Sequence, residues 1–130
     1  MGIDEMLAAA RSSLERAEPA DAWRLQAEGA LIVDIRPIAN RTAEGEIPGS
    51  VPVERIHLEW RLDPSSDHRL PQVHPDLPVV VVCNEGYASS LAAADLRRLG
   101  LARATDLVGG FRAWRGAGLP VRPGGTPAVP

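Results

Sequence analysis

One side chain in this sequence has the chemistry of a soft nucleophile, and it is the only cysteine, Cys83. It ends the run Val79-Val80-Val81-Val82 and opens the stretch Asn84-Glu85-Gly86-Tyr87-Ala88-Ser89-Ser90, beyond which helical spacing begins. A cysteine just ahead of a helix faces unpaired backbone N–H groups and the positive end of the helix dipole. Both favour the thiolate, which is the nucleophilic form. A free thiol with pKa ~8.5 is only a few per cent ionised at neutral pH, so such a setting changes reactivity. Gly86 lets the backbone turn so that several N–H groups can converge on one anion, whether sulfur or oxyanion. The competing reading is a buried structural cysteine. The loop position, Gly86 and the following helix favour the reactive one.

Absences narrow the chemistry further. All fourteen basic residues are arginines, so there is no Schiff-base lysine, no phosphate-loop lysine and no kinase lysine. A single cysteine forbids an internal disulfide and any Cys₂ or Cys₄ zinc site within the chain. His57, His68 and His74 match no common metal spacing and read as surface or hydrogen-bonding residues. No Gly-x-Ser-x-Gly elbow is present, so Ser89 and Ser90 read as caps of the helix after Cys83. No metal or cofactor is expected. A net charge of −3 argues against nucleic acid as a partner. No apolar run is long enough for a membrane span, and the acidic start lacks the features of a secretory signal. These traits suggest a soluble, cytoplasmic protein with a reduced thiol.

The elements that must position Cys83 follow from periodicity. Ile3, Leu7, Ala10 and Leu14 predict an amphipathic helix over 4–17, expected to pack on the domain, and Ala20–Glu28 a second. Leu31–Ile35 reads as a buried strand and Arg36–Ser50 as a loop broken by Pro37, Gly45, Pro48 and Gly49. Val51–Val53 predicts a brief strand, and Ile56 and Trp60 a short helix. Four consecutive valines cannot alternate in polarity, so Val79–Val82 is expected to be covered on both faces. Ala88, Ala92, Leu96 and Leu99 define a helix capped by Gly100. Ala104–Val108 reads as a strand, and Phe111 and Trp114 lie on a last helix. Trp23, Trp60 and Trp114 are all expected in the core. The Pro/Gly-rich end is expected to fray. Strands alternating with helices imply an α/β fold with a mostly parallel sheet, which binds ligands at the carboxyl ends of its strands.

Four motifs in order then resemble a single-domain rhodanese, or rhodanese-like sulfurtransferase. Asp34-Ile35-Arg36 resembles the family's Asp-x-Arg. Gly45-Glu46-Ile47-Pro48-Gly49-Ser50 is similar to its Gly-His-Ile-Pro-Gly-Ala, with Glu46 in place of histidine. Cys83–Ser89 occupies the active-site loop, and Gly109-Gly110-Phe111-Arg112-Ala113-Trp114 resembles the closing Gly-Gly-aromatic-x-x-Trp. The resemblance covers residues 19–121, leaving 1–18 as an N-terminal helical extension and 122–130 as a tail. It implies a three-layer fold with a five-stranded parallel sheet. It also implies that Cys83 takes sulfane sulfur from a donor such as thiosulfate or a persulfide and passes it to cyanide or a thiol. Asn84, Glu85, Gly86, Tyr87, Ala88 and Ser89 would cradle the sulfur. Arg36 would act as a substrate group or behind the loop, with Asp34 as structural support. A protein partner is compatible with this scheme. The competing class is a non-catalytic rhodanese-like module that binds a partner or senses sulfur or oxidants.

The loop departs from the family pattern in two ways. Many active rhodaneses carry a base five positions after the cysteine, where this chain has Ala88. Glu85 adds a negative charge, which at ~4 Å would oppose a sulfur anion by about 1 kcal/mol in water and about 4 kcal/mol at an effective dielectric of 20. Its side chain is expected to point outward, with weak activity toward thiosulfate. Cysteine phosphatases and arsenate reductases use Cys-x5-Arg to grip an oxyanion. Here Ser89 stands at that position.

Overall fold

The computed structural model describes residues 1–130. Four strands, β1 (Leu31–Asp34), β2 (Val51–Pro52), β3 (Val79–Val82) and β4 (Ala104–Asp106), form one parallel sheet in the order β2-β1-β3-β4. The register aligns Leu31 with Val79 and Val79 with Ala104. A fifth strand, implied by the family resemblance, is reduced here to one parallel bridge between Ala17 and Leu107 at the β4 edge. Only that pairing forms, because the chain turns at once into a helix at Pro19.

Alternate side chains of the sheet enter two separate cores. Leu31, Val33, Val79, Val81 and Cys83 face Leu58, Leu62, Ala92, Ala93 and Leu96. Ile32, Val80 and Val82 face Ala22, Phe111 and Trp114 on the other side. The valine run is thus buried on both faces, as its lack of alternation predicts. Each such side chain contributes ~1.5–3 kcal/mol on burial.

Six α-helices flank the sheet: α1 (Ile3–Ser12), α2 (Pro19–Ala27), α3 (Ile38–Glu44), α4 (Leu58–Leu62), α5 (Ala88–Arg98) and α6 (Gly110–Gly116). A 3₁₀ turn over Arg55–His57 leads into α4. α1 ends five residues before the position its spacing suggests; Ser12 and Ser13 fold their hydroxyls back onto Ala9 and Ala10 carbonyls. It packs against α5. No helix is long and apolar enough to cross a membrane.

Three expectations fail. The segment Arg36–Ser50 contains α3, because Pro37 and Gly45 bound a helix instead of breaking one. Trp23 and Trp60 are exposed by 48% and 61%, and only Trp114 is core, its indole N–H donating to the Pro120 carbonyl. The tail does not fray. Arg122 pairs antiparallel with Glu46, and the Val129 N–H donates to the Pro52 carbonyl.

Tail docking follows from a buried ion pair. Arg41 and Glu46, each 1% exposed at the side chain, lie 2.7 Å apart. Two charges so deep need further polar partners. Thr126 supplies them: its hydroxyl and N–H donate to Glu46, and its carbonyl accepts from Arg41. Burial on its own would raise the Glu46 carboxyl, but the bonds from Thr126 and Arg41 outweigh it and hold the group below its ordinary range.

Candidate active site

Cys83 lies at the carboxyl end of β3, one residue past the ladder, with 8% exposure. Its Sγ accepts the N–H of Gly86 at 3.2 Å and of Ser89 at 3.3 Å. Two amides of the loop therefore aim at the sulfur, one before and one just inside the first turn of α5. The N–H groups of Asn84, Glu85, Tyr87 and Ala88 donate to no acceptor in the protein. The loop thus has a cysteine sulfur already held by amides and a further set of unused donors.

The loop geometry depends on close backbone approach. Gly86 has φ +87°, and a Cβ there would stand 2.7 Å from the Gly109 nitrogen. Gly110 is as tightly placed, since its Cβ would fall 2.5 Å from the Cys83 carbonyl oxygen. That carbonyl accepts the Phe111 N–H at 2.8 Å, and the Asn84 carbonyl accepts the Arg112 N–H at 3.2 Å. The Gly109-Gly110 turn and the start of α6 therefore form the wall on which the loop rests.

Side chains fix the loop from three other directions. Asn84 donates to Glu44 at 2.8 Å and accepts from Arg36 at 3.4 Å. Glu85 pairs with Arg112 at 2.8 Å and is 59% exposed at its side chain, so it points outward as expected. Arg112 also holds Glu44 at 3.1 Å. The hydrogen bonds from Arg112 and Asn84 lower the Glu44 carboxyl below its ordinary range, and the Glu44 bond raises Arg112. Behind the loop, fully buried Asp106 accepts the hydroxyls of Ser89 at 2.7 Å and Ser90 at 2.8 Å. Arg16 completes that network with Nε 2.9 Å from Asp106.

Arg36 is not placed to touch a substrate. Its side chain is 1% exposed, forms a bidentate pair with Asp34, donates to the Gly45 carbonyl and lies 4.0 Å over the Phe111 ring. It orients Asn84 instead. The Asp34 carboxylate accepts from Arg36 alone, from its side chain and its N–H, and so locks that arginine. Tyr87 is 60% exposed at the rim. Ala88 begins α5 and leaves the loop without a cation of its own.

Sequence reasoning missed the site roles of Glu44, Asp106 and Arg112, and also those of Arg11 and Arg16. The last two donate to the Gly86 carbonyl, at 2.8 and 2.9 Å. No local pattern signals contacts that span 75 and 70 residues. None of the three main cavities is lined by Cys83 or by residues 84–90.

The rhodanese-like domain model matches residues 18–117. This chain belongs to the rhodanese-like family. Among its relatives is the thiosulfate sulfurtransferase GlpE of Pseudomonas entomophila, 36% identical over 104 residues that span 80% of this chain and 87% of that one. A sulfurtransferase of Allochromatium vinosum is 36% identical over 94 residues, 72% of this chain and 79% of that one. In structure, the chain is similar to a Rhodopseudomonas palustris protein of unknown function, described as a possible tyrosine phosphatase. The TM-score is 0.84 with 39% identity, over 94% of this chain and 95% of that one. It also resembles the polysulfide-sulfur transferase of Wolinella succinogenes, with TM-score 0.71 and 27% identity over 90% and 84% of the two chains. The fold, with its parallel sheet between helices, is thus shared with these two solved structures.

Proposed function

We propose that the protein is a sulfurtransferase that carries sulfane sulfur as a persulfide on Cys83. The observation that carries this reading is the loop's donor arrangement. Two N–H groups bind Sγ, and four more in the same turn lack an acceptor. An anionic outer sulfur on Cys83 would meet those free donors.

The reaction needs no cofactor. The Cys83 thiolate attacks the outer sulfur of the donor, the sulfur–sulfur bond of the donor breaks, and the leaving group departs with the electron pair. For thiosulfate the leaving group is sulfite; for a persulfide it is a thiolate. A thiolate or cyanide then attacks the outer sulfur of the Cys83 persulfide, which releases the Cys83 thiolate and gives a new persulfide or thiocyanate. The two half-reactions follow a ping-pong order.

The donor class that best suits this loop is a persulfide, with thiosulfate a poor substrate. Around the loop, the guanidinium groups of Arg16 and Arg36 are paired with Asp106 and Asp34, and that of Arg112 with both Glu44 and Glu85. Arg11, at the loop's outer side, is the one guanidinium of the four without a carboxylate partner, and position 88 supplies no cation, so the loop gathers a dianion poorly. A phosphatase reading has no support in the loop, because the position that would need arginine is Ser89, whose hydroxyl is committed to Asp106. Residues 19–121 are the catalytic unit on this proposal, with 1–18 and 122–130 packed onto it.

Intact-mass measurement after incubation with thiosulfate and with a low-molecular-weight persulfide tests the reading. A gain of about 32 Da, one sulfur, that is absent from Cys83→Ala is expected, with the persulfide the better donor. No adduct from either donor would refute it and leave a binding module.

A further inference from the structure

We propose that Arg11 and Arg16, which lie outside the residues matched by the family model, are positioning residues of the Cys83 loop, and that Arg11 supplies the positive charge that Ala88 does not. The inference rests on the sulfur-transfer reading of Cys83.

The geometry is specific. Arg11 donates through one terminal nitrogen to the Gly86 carbonyl at 2.8 Å and through Nε to the Ser90 hydroxyl at 3.0 Å. Arg16 donates to the same carbonyl at 2.9 Å while its Nε and the same terminal nitrogen hold Asp106. One carbonyl thus accepts from two guanidinium groups. A trans peptide places its N–H opposite its C=O. Fixing the Gly86 carbonyl therefore turns the Tyr87 N–H away from both arginines, and that N–H is one of the donors without an acceptor. Two cations on the oxygen also polarise the peptide and strengthen its N–H as a donor.

The charge distribution separates the two arginines. Arg16 is neutralised by Asp106, Arg36 by Asp34, and Arg112 by Glu44 and Glu85. Arg11 alone among them has no carboxylate partner; its other neighbour is the Tyr87 ring, 5.6 Å from the guanidinium carbon. The residue is held in place by neutral acceptors, so its charge is available to an anion at the loop. α1 carries it there by lying along α5, and no residue of α1 is buried in the core. The extension serves the loop more than it serves the fold.

The test compares alkylation of Cys83 by iodoacetate, an anion, with that by iodoacetamide, which is neutral. In Arg11→Gln the ratio of the two rates should fall about threefold, the scale expected of one charge lost near a surface site. Arg11→Lys should restore it. Arg24→Gln, which removes a remote arginine, should leave it unchanged. An unchanged ratio in Arg11→Gln, an equal fall in Arg24→Gln, or no recovery in Arg11→Lys would each overturn the assignment. Circular dichroism and the thermal midpoint of each variant identify any that fails to fold. For the arrangement role, Arg16→Lys keeps the charge but loses the forked contact to both Gly86 and Asp106, and its rate with neutral iodoacetamide should change by at least about twofold. No change there would remove Arg16 from the proposal. None of these readouts uses a sulfur donor. Absence of a wild-type persulfide would therefore refute sulfur transfer without bearing on the loop assignment.

Discussion

Gly86→Ala isolates the contact on which the cysteine loop depends. Two effects oppose the substitution. At φ +87° an L side chain costs ~1–2 kcal/mol. The added Cβ would also lie 2.7 Å from the Gly109 nitrogen and 3.1 Å from the Leu107 oxygen, both backbone atoms that cannot swing aside. Overpacking of that kind costs typically ~1–3 kcal/mol. The unfolded chain loses freedom, which returns ~0.4–1 kcal/mol. The expected net loss is about 2–4 kcal/mol. Gly29→Ala is the matched control. It has φ +108° but nothing within 4 Å of the added carbon, so it should lose only about 1 kcal/mol. Urea unfolding followed by the fluorescence of buried Trp114 gives both values on one scale. Relief of the clash must also part the loop from the Gly109-Gly110 turn and move the Gly86 N–H off Sγ, so persulfide formation should drop more in Gly86→Ala than stability alone requires. Equal destabilisation of the two variants, or full persulfide yield in folded Gly86→Ala, would refute the close-approach argument.

Three other outcomes follow from the charge networks. Glu46 has a folded-state carboxyl held below its ordinary 4.5, so its contribution is complete above that value and is lost as pH falls below it; the urea midpoint of the wild type should decline in that window, and Glu46→Gln should flatten the decline. Glu85→Gln removes one carboxylate from the exposed Arg112 pair and should speed thiosulfate loading by about twofold, an effect that added salt erases. Asp106→Asn leaves Arg16 without its carboxylate and weakens the hold on Ser89 and Ser90, which should cost about 2–4 kcal/mol in urea unfolding. Adding Arg16→Gln to it should cost less than the sum of the single changes.

What was legible in the chain were features with a short physical range. The valine run announced a strand buried on both faces, and its end placed Cys83 at the sheet's carboxyl edge ahead of a helix. Asp34, Arg36 and Asn84 came together because two adjacent parallel strands deliver their C-terminal residues to one place. Features set by distant partners were not legible. Pro37 and Gly45 look like loop punctuation, yet they cap α3, since Pro suits a helix start and Gly45 adopts φ +100° at its end. The tail reads as too polar and too rich in Pro and Gly to order. It is held by a buried Arg41–Glu46 pair that periodicity cannot reveal. Residue type points Trp23 and Trp60 to the core, but one-sided packing of α2 and α4 leaves them outward.

The electrostatics of the loop explain why family membership alone does not fix the donor. A cradle of backbone amides binds any anionic sulfur, whatever molecule delivers it, because amides carry no record of the leaving group. Selectivity must come from side chains around the mouth. Here the loop's own side chains contribute no cation and one carboxylate, Glu85. That carboxylate is drawn outward by Arg112, which keeps its charge from the sulfur but also occupies the Arg112 guanidinium. The guanidinium left without a carboxylate is that of Arg11, which arrives from a segment before the matched domain. On the proposed sulfur-transfer reading, donor preference is therefore set by the charges of Arg11, Glu85 and Arg112 around the amide cradle. A change of substrate class should need alterations at 11, 85 and 112 and none at 83–84 or 86–89.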